Sequence, residues 1–232
     1  MIGLNRDLAP ISEGGWARIE QEARDVLRLH LAARRLVDFE GPLGWDHSAV
    51  DLGRVEPLAG FESSGASFRR RVVRPMIELR VVFELDRSEL ERIDRGAASV
   101  DLDSLRDAAR LFAAAEDSAL FDGHEEAEIP GLISGAANPG VALPADPIEL
   151  PGAVGEALEQ LRQAGVGGPY GMALGPAAFA SLSRTVGDGG YPVMKHLRQL
   201  IDRPVVWAPS LAGGIAVSLR GASAAGTPRS DI

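Results

Sequence analysis

Residues able to do chemistry are few in this chain, and they lie far apart. The densest group is His124-Glu125-Glu126 with Glu128. An imidazole and carboxylates this close could hold a divalent ion. The segment directly follows a helical pattern, however, where a solvated charged turn is much the commoner outcome, and no metal is expected there. Glu116-Asp117 are adjacent carboxylates, but helix neighbours point to different faces. Glu116 is therefore expected to pair with an arginine within the fold. His30 and His47 are isolated and read as structural.

The exclusions are broader. With no cysteine, the chain has no thiol nucleophile, thiolate ligand or disulfide. No Gly-x-Ser-x-Gly elbow occurs, and the single lysine, Lys195, follows Met194 rather than the glycine of a phosphate loop. His-Glu-x-x-His is absent, and no histidine has a glutamate three residues before it, as di-iron bundles require. No catalytic residue, metal or cofactor is assigned, and the chain is not expected to be an enzyme.

Composition narrows the partners. The 232 residues carry a formal charge of -9, and every cationic side chain but one is arginine. Arginine forks suit ion pairs between subunits, although a GC-rich genome is the plainer source of the bias. A net acidic chain is a poor packager of nucleic acid, which needs clustered cations. No apolar run approaches the ~20 residues of a membrane span, and no secretory signal is visible. A cytoplasmic protein without membrane or nucleic-acid partners is expected.

The elements that must position any site follow from periodicity. Trp16, Ile19, Ala23, Val26, Leu27 and Leu31 recur at three- and four-residue steps, which predicts a helix from about Gly14 to Arg35 capped by Ser12. Residues 50 to 85 read as extended. Val50, Leu52 and Val55 form one arm, Gly60 to Ser67 a polar loop, and Ile77, Leu79, Val81, Phe83 and Leu85 the apolar face of the strongest strand. Two such strands would make a hairpin unable to bury itself, in need of a partner. Helices are predicted over about 102–121, 151–164, from Pro176, and over about 192–201. Strands are predicted at Tyr170 to Leu174, Val205 to Trp207 and Ile215 to Leu219. The mixed order points to α+β. Asp188-Gly189-Gly190-Tyr191-Pro192 reads locally as a glycine turn feeding a helix.

An ordered series of short motifs resembles the shell proteins called encapsulins, or the linocin family. The series is Leu8-Ala9-Pro10-Ile11-Ser12 with Trp16, Ala33-Arg34-Arg35-Leu36-Val37-Asp38, Gly41-Pro42-Leu43-Gly44-Trp45, and Pro75 to Arg80 with Phe83, Leu85, Glu89, Leu90 and Arg95-Gly96. It continues with Ala115-Glu116-Asp117, Phe121, Gly123, Ile129-Pro130-Gly131-Leu132, Gly168-Pro169-Tyr170, Gly190-Tyr191-Pro192 and Ala208-Pro209. The resemblance implies an HK97 capsid-like fold that assembles into an icosahedral cage around a cargo protein. It implies an N-terminal arm and helix over 1–40, an E-loop over 41–74 that pairs with a neighbouring subunit, a P-domain over 75–124 and an A-domain over 125–221. A cargo protein, such as a dye-decolorising peroxidase or a ferritin-like protein, would dock through a terminal targeting peptide. Leu27, Leu31 and Val37 would form apolar pockets for it, and Arg34 and Asp38 would fix its backbone or termini. The alternative for these residues is that the leucines are core and Arg34 pairs with Asp38. Asp188, Gly189, Gly190 and Tyr191 would line the five-fold pore.

After Gly221 the sequence departs from the family's pattern. Residues 222–232 match none of the further strands and read as a disordered tail, so the implied expectation is a shell fold in outline that assembles poorly or not at all, with an assembly-defective truncated encapsulin as the alternative. Two other readings share part of the resemblance. An HK97-type phage or prophage capsid would need a basic inner face. A linocin-type antibacterial or proteolytic protein would need a signal peptide and a catalytic constellation.

Overall fold

A computed structural model describes residues 6–59, 67–187 and 190–219. In chain order the elements are α1 (Glu13–His30), β1 (Ala49–Leu58), β2 (Phe68–Pro75), α2 (Arg87–Asp94), α3 (Asp103–Phe121), β3 (Gly123–His124) and β4 (Ile129–Pro130). They are followed by α4 (Leu150–Gln163), β5 (Tyr170–Leu174), α5 (Pro176–Arg184), α6 (Val193–Leu200), β6 (Val206–Trp207) and β7 (Gly214–Ser218). The architecture is α+β, as the sequence predicts.

Helix α1 starts where its cap dictates: the Ser12 hydroxyl oxygen accepts the Gly15 N–H at 2.9 Å. Its apolar stripe buries Ile19 with Leu90, Leu102 and Leu105, flanked by Trp16 and Ala23. The helix stops at His30 rather than running to Arg35. In a longer helix the N–H groups of Ala32 and Ala33 would return to the carbonyls four residues earlier. Both are taken instead by the carboxylate of Asp117, and the chain continues as a 3-10 turn, Ala33–Arg35.

The hairpin also differs from expectation. Its second strand is β2, paired with β1 from Ala49↔Pro75 to Leu58↔Phe68, with an irregularity between Asp51 and Arg54. Residues 77–85 follow it without regular secondary structure and join no ladder among the described residues. Their alternation identified a face, but alternation alone names no partner strand. Residues 60–66 of the expected polar loop lie outside the described residues. Helix α2 was not foreseen. Asp86 caps it by accepting the Ser88 N–H at 2.7 Å, and Gly96, at φ +78°, ends it.

Beyond α3 the core is built on the sheet β6-β5-β7. Strand β5 runs parallel to β6 and antiparallel to β7, in register from Tyr170↔Ser218 to Leu174↔Gly214. All five β5 residues are buried, and their alternation separates two cores. Tyr170, Met172 and Leu174 face α4, α5 and α6 through Leu150, Val154, Leu158, Leu182, Val193 and Leu197. Ala173 faces the other way, onto Ala32, Ala33, Leu36 and Phe121. Small residues at Gly171 and Ala173 admit this close approach: a Cβ on Gly171 would meet Leu36 Cδ2 at 3.1 Å. The arm after α1 is thus one wall of the sheet's second core. The tail at 222–232 lies outside the described residues.

Candidate functional site

The arm that follows α1 gathers most of the residues the sequence singled out, and α3 holds it in place. Asp117 is fully buried and accepts the N–H groups of Ala32 at 2.9 Å and Ala33 at 3.0 Å. Burial, its largest influence, raises the carboxyl above the ordinary aspartate value, and the two N–H donors pull it back. The nearby Glu116 charge adds to the rise. Ser210, whose buried Oγ makes no hydrogen bond, lies close enough to favour the charged form. One helix position earlier, Glu116 receives the Arg34 guanidinium as a two-point fork, Nε to Oε1 at 2.5 Å and a terminal nitrogen to Oε2 at 2.7 Å. The same guanidinium lies 4.2 Å from the centre of the Phe39 ring. Arg34 is held from both sides, by Glu116 rather than Asp38.

The other arm residues face different ways. Leu27 is half-buried and lines an apolar cleft of about 160 Å³ between α1, α3 and the segment after β2, with Val81, Phe83, Leu105 and Phe112. Leu31 is 4% exposed and already packed within the chain. Val37 and Asp38 border a second cleft of about 120 Å³ with Leu36, Leu132, Val217 and Leu219. Asp38 itself is exposed and joins no ion pair among the described residues. His30 donates from Nδ1 to the Val26 carbonyl at 2.8 Å and meets the Trp207 ring edge-on at 5.5 Å, which ties the end of α1 to β6.

The arrangement offers two shallow, partly apolar clefts, one lined by Leu27 and the other by Val37 and Asp38, on an arm whose Arg34 is clamped by Glu116. It suits contact with an extended apolar segment. Among the described residues no three His, Asp or Glu side chains gather into a metal site. His124 instead uses Nδ1 to accept the Ala127 N–H at 3.3 Å, capping a 3-10 turn. In the glycine turn Asp188 and Gly189 lie outside the described residues. Gly190 takes φ +79°, and the half-exposed Tyr191 accepts the Gly187 N–H on its carbonyl at 2.9 Å. No described helix is long and apolar enough to cross a membrane.

Comparison with known proteins decides what this wall belongs to. Residues 1–227 match the Linocin_M18 family, described as encapsulating protein for peroxidase. The chain belongs to this family. A type 1 encapsulin shell protein of Rhodospirillum rubrum is 48% identical over 226 residues, covering 95% of this chain and 81% of that one. Those of Rhodococcus erythropolis and Mycobacterium tuberculosis are 42% and 38% identical, each over 95% of this chain and 83% of its own. A virus-like particle from Pyrococcus furiosus superposes with a TM-score of 0.54 at 15% identity, over 88% of this chain and 78% of that one. That likeness carries the fold: a capsid-like α+β subunit. The encapsulin relatives are named as structural shell proteins rather than as enzymes.

Two features of the encapsulin wall escaped sequence reasoning. Asp117 occupies the fourth place in the four-residue series Leu105, Ala109, Ala113, Asp117, Phe121, all buried on one face of α3. That spacing was the available signal. No sequence signal predicted the Phe39 stack on Arg34.

Proposed function

We propose that this shell subunit assembles with copies of itself into an icosahedral nanocompartment in the cytoplasm and encloses a cargo protein by its terminal targeting peptide. The observation that carries the docking part is the pair of clefts flanking one rigid arm. Leu27 with Val81 and Phe83 offers one apolar receptor, and Val37 with Leu132 and Val217 offers the other. Leu31, buried just after α1, donates its N–H to the Leu27 carbonyl at 2.9 Å and would back that receptor rather than touch the peptide. Asp38, exposed at the border of the second cleft, would accept N–H groups or a cationic side chain of the peptide. Arg34, already committed to Glu116 and Phe39, fixes the arm and presents its remaining N–H groups to the peptide backbone. In this reading residues 1–40 form the inner arm and helix, 41–74 the E-loop, 75–124 the P-domain and 125–221 the A-domain. The turn from Asp188 to Tyr191 would line the five-fold pore. The family's description names a peroxidase, which supports a cargo of that class such as a dye-decolorising peroxidase, with a ferritin-like protein as the other candidate.

The test is co-expression with a peroxidase carrying a short apolar-basic C-terminal peptide. Particle mass by light scattering and negative-stain images of the same fractions report assembly, and peroxidase content reports loading. Hollow uniform particles that carry cargo, and lose it in Leu27→Asp and Val37→Asp without loss of particles, are expected. Uniform particles loaded equally by peroxidase with and without the peptide would overturn the docking site. A monomer under all conditions would overturn the compartment.

A further inference from the structure

Charge is unevenly placed in the second half of the chain. Residues 111–161 hold ten carboxylates and no Lys or Arg. Residues 184–203 reverse this, with the four cations Arg184, Lys195, Arg198 and Arg203 against the two carboxylates Asp188 and Asp202, a balance of +2 in a chain of -9. Asp202 is already engaged, since it accepts the Tyr170 N–H at 2.7 Å. Lys195 and Arg198 are exposed on α6, and neither closes an ion pair among the described residues.

This cationic face and the glycine turn before it form one piece. The Gly187 N–H bonds the Tyr191 carbonyl at 2.9 Å and the Val193 N–H bonds the Thr185 carbonyl at 3.3 Å, so the turn closes at its base directly onto α6. Tyr191 then lies back along the helix. Its hydroxyl oxygen accepts the Gln199 Nε2–H at 3.4 Å, and Lys195 Nζ lies 5.9 Å from the centre of its ring. Tyr191, Lys195 and Gln199 follow at four-residue steps, the spacing of one helix face. Val193 and Leu197, on the opposite side, are buried and fix the helix in the core. Wherever the turn is carried, the Lys195 ammonium goes with it.

We propose that Lys195 sets the charge of the pore as a collar of one ammonium per copy, and that the solutes it admits are small anions. Divalent cations are the most impeded. This rests on the reading of Asp188 to Tyr191 as the pore turn. Five copies about one axis gather five ammonium groups, and Arg198, three residues on, adds a second cation on the same helix face. Asp188 opposes them with one carboxylate per copy. Rings of Lys or Arg select anions, and low-dielectric walls focus their field. Salt screens such a collar over about 8 Å at physiological ionic strength, so the selection weakens as salt rises.

The chain has no cysteine, so a thiol-reactive fluorophore on Ala17→Cys, an exposed position of α1, reports solutes that reach the wall read as inner. Stopped-flow mixing of the particles with iodide, thallous ion or acrylamide follows the entry of an anion, a cation and a neutral quencher. At low salt, Lys195→Glu should lower the ratio of iodide to thallous entry roughly fivefold or more. Lys195→Arg should keep the ratio, and acrylamide should enter all three proteins alike. High salt should bring Lys195→Glu and the wild type together. Tyr191→Ala, which removes a ring rather than a charge, should speed all three quenchers. An unchanged ratio in Lys195→Glu, while Tyr191→Ala speeds entry, would overturn the collar and leave the pore reading intact. No effect of either substitution would overturn the pore reading and the collar with it. Quenching complete within the mixing time, or a chain that forms no particles, would overturn the compartment and the collar together.

Discussion

Arg34 closes a two-point fork on Glu116 across 82 residues of sequence, with both side chains about one-fifth exposed. Exposed ion pairs contribute about 0–1 kcal/mol, because solvent screens them and two side chains lose freedom. This pair is better shielded and has the planar geometry that only a guanidinium supplies. Arg34→Ala should therefore cost roughly 1–2 kcal/mol, above the exposed range. Arg34→Lys should recover only part of that, since an ammonium cannot fork. Denaturant midpoints of the three proteins measure it. Equal stability of all three would mean that the fork contributes nothing to holding the arm.

Asp117 holds the same arm by its backbone, and its behaviour with pH follows from burial. The folded carboxyl titrates above its unfolded value, raised first by desolvation. Folding therefore takes up a proton between the unfolded value, about 4, and the raised folded one. The stability tied to this group is fully present below that window and is lost as pH rises through it. Measured against Asp117→Asn, which does not titrate, the wild type should lose ground as pH rises from about 4 and then level off. The opposite trend would show that the Ala32 and Ala33 donors outweigh burial. Asp117→Ala should be worse at every pH, because each unpaired buried N–H costs about 1–3 kcal/mol.

Strand β5 and helix α4 were legible in the sequence because their signals are local. Tyr170 to Leu174 is bounded by glycine and proline, and Gly165, at φ +76°, closes the helix pattern. The end of α1 was not legible. Nothing between Gly14 and Arg35 breaks a helix by propensity after the first turn, and the capture of Ala32 and Ala33 comes from 85 and 84 residues away. The segment at 77–85 fails for a related reason: alternation fixes which face is apolar, while the ladder depends on which backbone lies alongside. For the site, the sequence foresaw that Glu116 would pair with an arginine. It did not identify Arg34 as the partner, and it offered Asp38 as the alternative partner for Arg34.

Two glycines of opposite character test how tightly the sheet core is built. Gly175 sits between β5 and α5, donates its N–H to the Gly213 carbonyl at 2.7 Å and accepts the Phe179 N–H at 2.9 Å. A Cβ there would lie 2.1 Å from the Leu211 carbonyl oxygen, a backbone atom that cannot rotate away. Gly175→Ala must push apart the turn that joins β6 to β7, at a cost of about 1–3 kcal/mol for such overpacking. Gly155 lies inside α4, where a Cβ would meet nothing within 4 Å. Gly155→Ala removes backbone freedom from the unfolded chain and should stabilise by about 0.4–1 kcal/mol. Calorimetry of both variants reads the difference, each kcal/mol shifting the melting point by about 2–4 °C in a chain of this size. A Gly175→Ala protein that melts with the wild type would mean that the β6–β7 turn yields freely, and the tight packing assigned to the strand junction would then be wrong.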